Sequence, residues 1–336
     1  MITEQTVGEA LKNVIVPAAE RNLVDLNLVN NITIHDNAVE IVLANAAINT
    51  ELQEYLTDGI RAALSKANIA NLVIKYTEIK PAELNHVSHI IAVMSGKGGV
   101  GKSAVSALLA MSLQRAGKTV GILDADITGS SMPRMFGLKN RPLGSENGIL
   151  PVASESGIDI MSMNLMLPEQ ESAVIWRAPL LTKAIQQFWE EVLWGNLDYL
   201  IIDLPPGTAD APLTVMQSIP IEGVIIVSTP QGLVEMIVKK ALNMTQKMEK
   251  PILGIIENMS YFYVPELKKK YELFGKSKGE ALSKVARAPL LAQLPIDPVL
   301  ARLCDEGKIE SYDSPFIKEL GDAVLQIIAK KTELKK

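Results

Sequence analysis

The 336-residue sequence predicts an α/β fold: a mostly parallel sheet with helices on both faces, preceded by a small α+β domain. Three observations carry that reading. From His89 onward, short apolar runs alternate with helical stretches, as parallel strands joined by crossover helices require. Several of these runs are apolar at consecutive positions, which suits strands covered on both faces. Before that point the chain reads as a separate unit of paired strands and an amphipathic helix, set off by a polar stretch that contains Pro81. The expected divisions are residues 1–82 for the small domain, 83–88 for a linker and 89–336 for the larger domain.

In chain order, residues 31–44 (NITIHDNAVEIVLA) predict two strands around an Asp36-Asn37 turn. Residues 50–67 predict a helix with Thr50 as N-cap and Leu52, Leu56, Ile60 and Leu64 on one face. Residues 71–79 supply another strand. In the larger domain, strands are expected within 89–94, 118–124, 158–165, 197–205, 223–230 and 251–258. Residues 315–336 read as a closing helix, with Ile317, Leu320, Val324 and Ile328 on one face and Lys330, Lys331, Lys335 and Lys336 at its end. Packing of that face on the sheet is favoured over a membrane-surface helix, because Phe316 is its only bulky aromatic.

Composition narrows the classes of function. Hydrophobic residues at 48% and charged residues at 21% are ordinary for a soluble globular protein. The formal net charge of -5, with no dense basic block, argues against nucleic-acid binding by phosphate neutralisation. No apolar run nears the ~18 residues of a spanning helix, and the N-terminus has no signal-peptide pattern. A cytoplasmic protein with neither nucleic-acid nor membrane partners is therefore expected. The single cysteine, Cys304, excludes an internal disulfide framework and any multi-cysteine metal site within one chain. His35, His86 and His89 lack the spacing of metal ligands, and the run ELKKKYE (residues 266–272) reads as a solvated surface.

The chemistry starts at SGKGGVGKS, residues 95–103. Gly96, Gly101, Lys102 and Ser103 fit G-x-x-x-x-G-K-[ST] between an expected strand and an expected helix. The glycines, among them Gly98 and Gly99, let the backbone around Val100 curl so that its N–H groups face phosphate oxygens. The following helix aims its positive end at the same place. Lys102 reaches the outer phosphates, and the Ser103 hydroxyl suits Mg²⁺. Lys97 is a second lysine in the same loop.

Carboxylates follow at strand ends, where ligands bind in such sheets. Asp124 and Asp126 close one strand and point differently, so one is a candidate for orienting water and the other for supporting Mg²⁺ or Lys97. Asp203 ends the run LDYLIID, the expected place for the acid of the Mg²⁺ shell, and Gly207 then offers a backbone N–H to a γ-phosphate.

SGKGGVGKS, GILDADI, IIDLPPGTAD and GIIENMSYF, in this order, resemble the Mrp/ApbC branch of the deviant-Walker ATPases. This is a family of iron–sulfur cluster carriers related to MinD, ParA and the nitrogenase iron protein. VIWRAPL (residues 174–180) and LPIDP (residues 294–298) resemble further landmarks of it. The resemblance covers about residues 88–330 and extends more weakly over 5–80, which are similar to the small domain of many members. It implies ATP hydrolysis by a homodimer that sandwiches nucleotide, with apoproteins or assembly proteins as partners. By position it implies that Lys97 reaches the nucleotide of the other subunit and that Asp126 activates water. Asn258 is implied to read the adenine base, with Pro295 and Asp297 nearby.

The sequence also departs from that pattern. Where cluster-bearing members place C-P-x-C, this chain has Val264, Pro265, Glu266 and Leu267. A bridging cluster conventionally takes four thiolates, and a dimer of this chain offers two at best. Cys304 reads as a buried structural residue on a helix well past that loop. No stable cluster is therefore expected through the usual motif. Thr128 and Ser130 also stand where the family commonly has tyrosine and proline. The alternative to a cluster-assembly ATPase is a cluster-less, nucleotide-gated switch or scaffold of MinD/ParA type. For a third reading, an enzyme acting on a small molecule, the sequence has no distinct substrate constellation.

Overall fold

The structure is a computed structural model that describes residues 2–35, 38–67, 69, 71–126, 129–166, 178–207, 210–231 and 234–333. It divides into two compact units. The smaller takes in Met1–Val87, Asn140–Ala153 and Gln187–Leu197, and the larger takes in Ser88–Lys139, Ser154–Gln186 and Asp198–Lys336.

The smaller unit contains helix α1 (Glu4–Leu11), strands β1 (Val29–His35) and β2 (Ala38–Ala44), helix α2 (Thr50–Lys66) and strand β3 (Asn71–Thr77). β1 and β2 pair antiparallel, while β3 returns through α2 to pair parallel with β2. Val39, Ile41 and Leu43 alternate into the core, and Leu56, Ile60 and Leu64 of α2 meet that face at helical spacing. The α2 cap is Asn49 rather than Thr50. Asn49 is extended and its side-chain oxygen accepts the Leu52 N–H at 2.9 Å, one residue earlier than the sequence suggests. The Asp36-Asn37 turn lies outside the described residues.

Two segments distant in sequence join this core through Leu150 and Leu193. Residues 83–88, expected as a linker, fall largely in regular structure. Pro81–Leu84 form a helical turn with proline at its start, and the next strand begins at His86. Asn85 fixes the join: its oxygen accepts the N–H groups of Trp194 and Gly195 at 2.7 and 3.0 Å, and its amide donates to the Val192 carbonyl.

The larger unit is built on β4 (His86–Ser95), α3 (Lys102–Arg115), β5 (Val120–Asp124), β6 (Asp159–Ser162), α4 (Ala178–Glu191), β7 (Asn196–Asp203), α5 (Asp210–Ser218), β8 (Gly223–Ser228) and α6 (Val234–Lys247). It continues through β9 (Ile252–Val264), β10 (Lys269–Tyr271), α7 (Gly279–Ala286), β11 (Leu290–Ile296), α8 (Pro298–Glu306) and α9 (Pro315–Glu333). The sheet runs β6-β5-β7-β4-β8-β9, with β11 parallel and β10 antiparallel to β9. β5 and β8 are buried at every position, the mark of a sheet covered on both faces.

Register decides which side chains meet. Asp124 of β5 lies level with Ser162 of β6 on one side and Asp203 of β7 on the other. Val227 of β8 lies level with Ser95 of β4, and Ser228 lies level with Glu257 of β9. The carboxyl ends of these strands therefore form one edge, above which the loops converge. The closing helix α9 buries Ile317, Leu320, Val324 and Ile328, and Gly321 lets its backbone approach Ser112 of α3. Among the described residues no helix is long and apolar enough to cross a membrane.

Candidate functional site

The glycine-rich loop joins β4 to α3. Gly99 and Gly101 have φ of +78° and +77°, a left-handed conformation that side chains resist. At Gly101 a Cβ would collide with the Asn258 side-chain nitrogen, so this glycine is required twice over. Asn258 reaches that point from β9 and donates to the Val100 carbonyl at 2.9 Å, which pins the loop to the far strand.

Below the loop, Lys102 is almost wholly buried, and its Nζ lies 2.7 Å from Asp203 Oδ2. The Ser103 hydroxyl donates to the same oxygen at 2.6 Å. The Ser106 hydroxyl lies 2.6 Å from Asp203 Oδ1 and 3.1 Å from the Lys102 carbonyl. Both carboxylate oxygens are thus satisfied, and the acid sits beneath the loop rather than in the open cleft. A buried charge without such partners would be far costlier than the pair. Lys97 behaves differently. Its Nζ turns to Gln231, in the loop after β8, and donates to Oε1 at 2.5 Å.

The two aspartates after β5 separate as alternation requires. Asp126 lines the cleft and accepts the Gly129 N–H at 3.2 Å. Asp124 is fully buried and receives the Ser130 hydroxyl at 2.5 Å and the Ser162 hydroxyl at 3.2 Å. Burial, reinforced by the charge of Asp203, pushes the Asp124 carboxyl up to about 7, against the opposing pull of Ser130 and Lys102. Gly207, with φ of +93°, donates its N–H to the Ser95 carbonyl at 2.9 Å. A phosphate would draw on this N–H only after it leaves that carbonyl. Thr128 lies outside the described residues, as does most of the 174–180 landmark.

A cleft of about 610 Å³ opens over the loop. Ser95 and residues 97–104 of the loop line it, together with Asn258, Met259, Pro295, Asp297 and Leu300. Asp297 is held from both sides: it caps α8 by accepting the Val299 N–H at 2.8 Å and accepts the Tyr312 hydroxyl at 2.7 Å. Cys304 corrects the expectation of a buried structural residue. It is half-buried and forms part of the cleft wall, because α8 folds back over the loop. Burial, with the nearby Asp305 charge, pushes its thiol upward, so it is no thiolate at neutral pH.

Val264 ends β9, and Pro265–Leu267 turn in a short 3₁₀ helix before β10 returns. The positions that carry cysteines in the cluster-bearing pattern thus lie at the tip of a hairpin, Leu267 exposed and Val264 half-buried. Sequence reasoning missed Gln231, Ser106, Ser130 as a ligand of Asp124, and Ser162. Only Ser106, one helical turn after Lys102, carries a local signal.

Comparison with known proteins agrees with this geometry. A ParA model described as a NUBPL iron-transfer P-loop NTPase matches residues 86–331, and a model described as an iron–sulfur cluster assembly protein matches residues 4–69. The iron–sulfur cluster carrier protein of Helicobacter pylori is 36% identical over 320 residues, covering 92% of this chain and 86% of its own. That of Methanocaldococcus jannaschii is 45% identical over 226 residues, covering 67% and 78%. Among solved structures, a nucleotide-binding protein from Archaeoglobus fulgidus in complex with ADP matches with a TM-score of 0.63 at 44% identity, covering 69% of this chain and 91% of that one. The MinD cell division protein of Aquifex aeolicus shares the fold, with a TM-score of 0.50 at 19% identity over 72% of this chain and 97% of its own. A phosphate loop backed by a buried lysine–carboxylate pair, on a chain matched nearly end to end, has one family assignment: this protein belongs to the iron–sulfur cluster carrier family of nucleotide-hydrolysing P-loop proteins.

Proposed function

We propose that the chain is an ATP-binding, ATP-hydrolysing homodimer that acts in iron–sulfur cluster assembly or transfer to apoproteins, in the cytoplasm. One observation carries the hydrolytic part of this reading. Of two lysines in one loop, Lys102 is tied to Asp203 under the phosphate position, while Lys97, which lines the cleft, donates to the neutral amide of Gln231 and, among the described residues, pairs with no carboxylate. Lys102 and the loop N–H groups of residues 96–101 then receive the phosphates of their own chain. Lys97 is left to serve the nucleotide of a second copy, where an added cation offsets charge in the transition state.

Ser103 and Asp203 supply the hard oxygen donors that suit Mg²⁺. When bound, Mg²⁺ neutralises charge on the phosphates. Asp126 faces the cleft and is placed to orient water, whereas Asp124 supports the loop from behind. Asn258, Pro295 and Asp297 are assigned to the base.

The cluster is cargo in this reading, and the hairpin tip does not fit it. Val264 and Leu267 offer no thiolate. This favours, as the second reading, a cluster-less nucleotide-gated switch of MinD/ParA type.

The test is Lys102→Ala. Calorimetry should show ATP affinity reduced more than about a hundredfold, the loss of roughly two charge-assisted bonds. In a host lacking its own carrier, wild-type protein but not the variant should restore an iron–sulfur enzyme. Unchanged affinity would contradict the phosphate-loop assignment, and failure of the wild type to restore the enzyme would favour the second reading.

A further inference from the structure

We propose that the hairpin and turn of residues 261–278 form a docking surface for an acidic protein segment that carries apolar side chains. The proposal stands on the hairpin itself and does not depend on the hydrolytic reading.

Its first support is apolar exposure. Tyr263, Leu267, Tyr271, Leu273 and Phe274 are all exposed, with Leu267 at 58% and Leu273 at 61%. They fall within a dozen residues, whereas the other large exposed apolar side chains of the described residues are scattered singly over the rest of the chain. Scattered exposure is normal, but a concentration marks an interaction site.

The second support is charge. Lys268, Lys269, Lys270, Lys276 and Lys278 outnumber Glu266 and Glu272 in this stretch, on a chain whose net charge is -5. Among the described residues none of these lysines forms an ion pair, and Lys270 instead lies 4.1 Å over the Tyr261 ring. The fold leaves this positive charge unneutralised, so a partner's carboxylates are its complement. The third support is position. Phe274, in the turn after the hairpin, is exposed and also lines the phosphate-loop cleft, so a docked segment would lie at the rim of that cleft.

The proposed homodimer brings a second copy to the cleft, but that copy is a poorer occupant of the lysine-bearing hairpin strand. A two-fold contact through the hairpin would set lysines against lysines, and lysines on the edge strand β10 discourage edge-to-edge pairing. An anionic lipid surface fits less well too, because Glu266 beside Leu267 at the tip would be driven against the headgroups.

The experiment uses the full chain and a short fluorescein-labelled peptide in which Asp and Glu alternate with Leu and Phe. One control peptide replaces the acids by lysine, and another replaces the apolar residues by serine. By anisotropy, only the acidic apolar peptide should bind, more weakly at high salt. Its affinity should fall at least about tenfold in the triple variant Lys268→Glu/Lys269→Glu/Lys270→Glu and in Leu267→Ser/Leu273→Ser, which alter exposed residues. Absence of binding, or binding that neither variant weakens, would overturn the proposal. If the triple variant instead changes self-association in sedimentation while peptide affinity stays the same, the surface belongs to a second copy. Flotation with phosphatidylserine vesicles that the triple variant abolishes, without peptide binding, would assign it to a membrane.

Discussion

Asp124 and Asp203 end adjacent strands at the same register, yet their surroundings differ. Asp203 has an ammonium at 2.7 Å, whereas Asp124 has hydroxyls and a neighbouring negative charge. The consequence is a stability effect of definite sign. Unfolded, Asp124 loses its proton near the ordinary 3.8, but folded it holds the proton up to about 7. Between those values the native state binds more protons than the unfolded one, so stability falls as pH rises through that window and levels above it. Asp124→Asn keeps a neutral side chain among the same serines. Its melting temperature should therefore decline less from about pH 4 to about pH 7 than that of the wild type. Equal slopes in the two proteins would remove Asp124 as the cause. The positions of Asp124, Asp126 and Asp203 were legible because each ends or follows an apolar run. Their division into buried and open was not, since Ser162 meets Asp124 only through the pairing of β6 with β5.

At the level of elements, the strands were the most readable feature. Runs such as GVIIVS are apolar at every position, and only a sheet covered on both faces gives such a run a place in this chain. The stretch 83–88 was less readable, because its polar composition conceals an asparagine bonded to backbone more than a hundred residues away. The hydrophobic alternation of residues 4–69 likewise gave no sign that Leu150 and Leu193 complete their core. Cys304 was misjudged for a related reason: helix periodicity places it on α8 but does not say what α8 covers. The 264–267 hairpin carries the opposite lesson, since residue identity alone bears on its chemistry. Anaerobic treatment of the purified protein with iron and sulfide should leave no stoichiometric visible absorption band that depends on cysteine. A band lost in Cys304→Ser would show that this one thiol, in the cleft wall, supports a cluster after all.

At the scale of the whole molecule, the fold is complete in one chain, whereas the proposed reaction calls on two. Asn258 clamps the loop from β9, and Lys102 is paired with Asp203 beneath it, so in the proposed reading nucleotide binding belongs to the single chain. Hydrolysis, by contrast, is assigned to Lys97 acting on the nucleotide of a second copy, and the hold of Gln231 on Lys97 must be released first. A part-buried hydrogen bond from an ammonium to a neutral amide contributes about 1.5–3 kcal/mol, and a charged phosphate oxygen is a stronger acceptor for the same ammonium. The most direct measurement is ATP turnover per protomer across a series of protein concentrations, for wild type and Lys97→Ala, with nucleotide affinity measured alongside. The account predicts that wild-type turnover rises with concentration as dimers form. It also predicts that Lys97→Ala binds ATP with near-normal affinity and hydrolyses it about a thousandfold more slowly. Turnover independent of concentration, or wild-type turnover in Lys97→Ala, would contradict it.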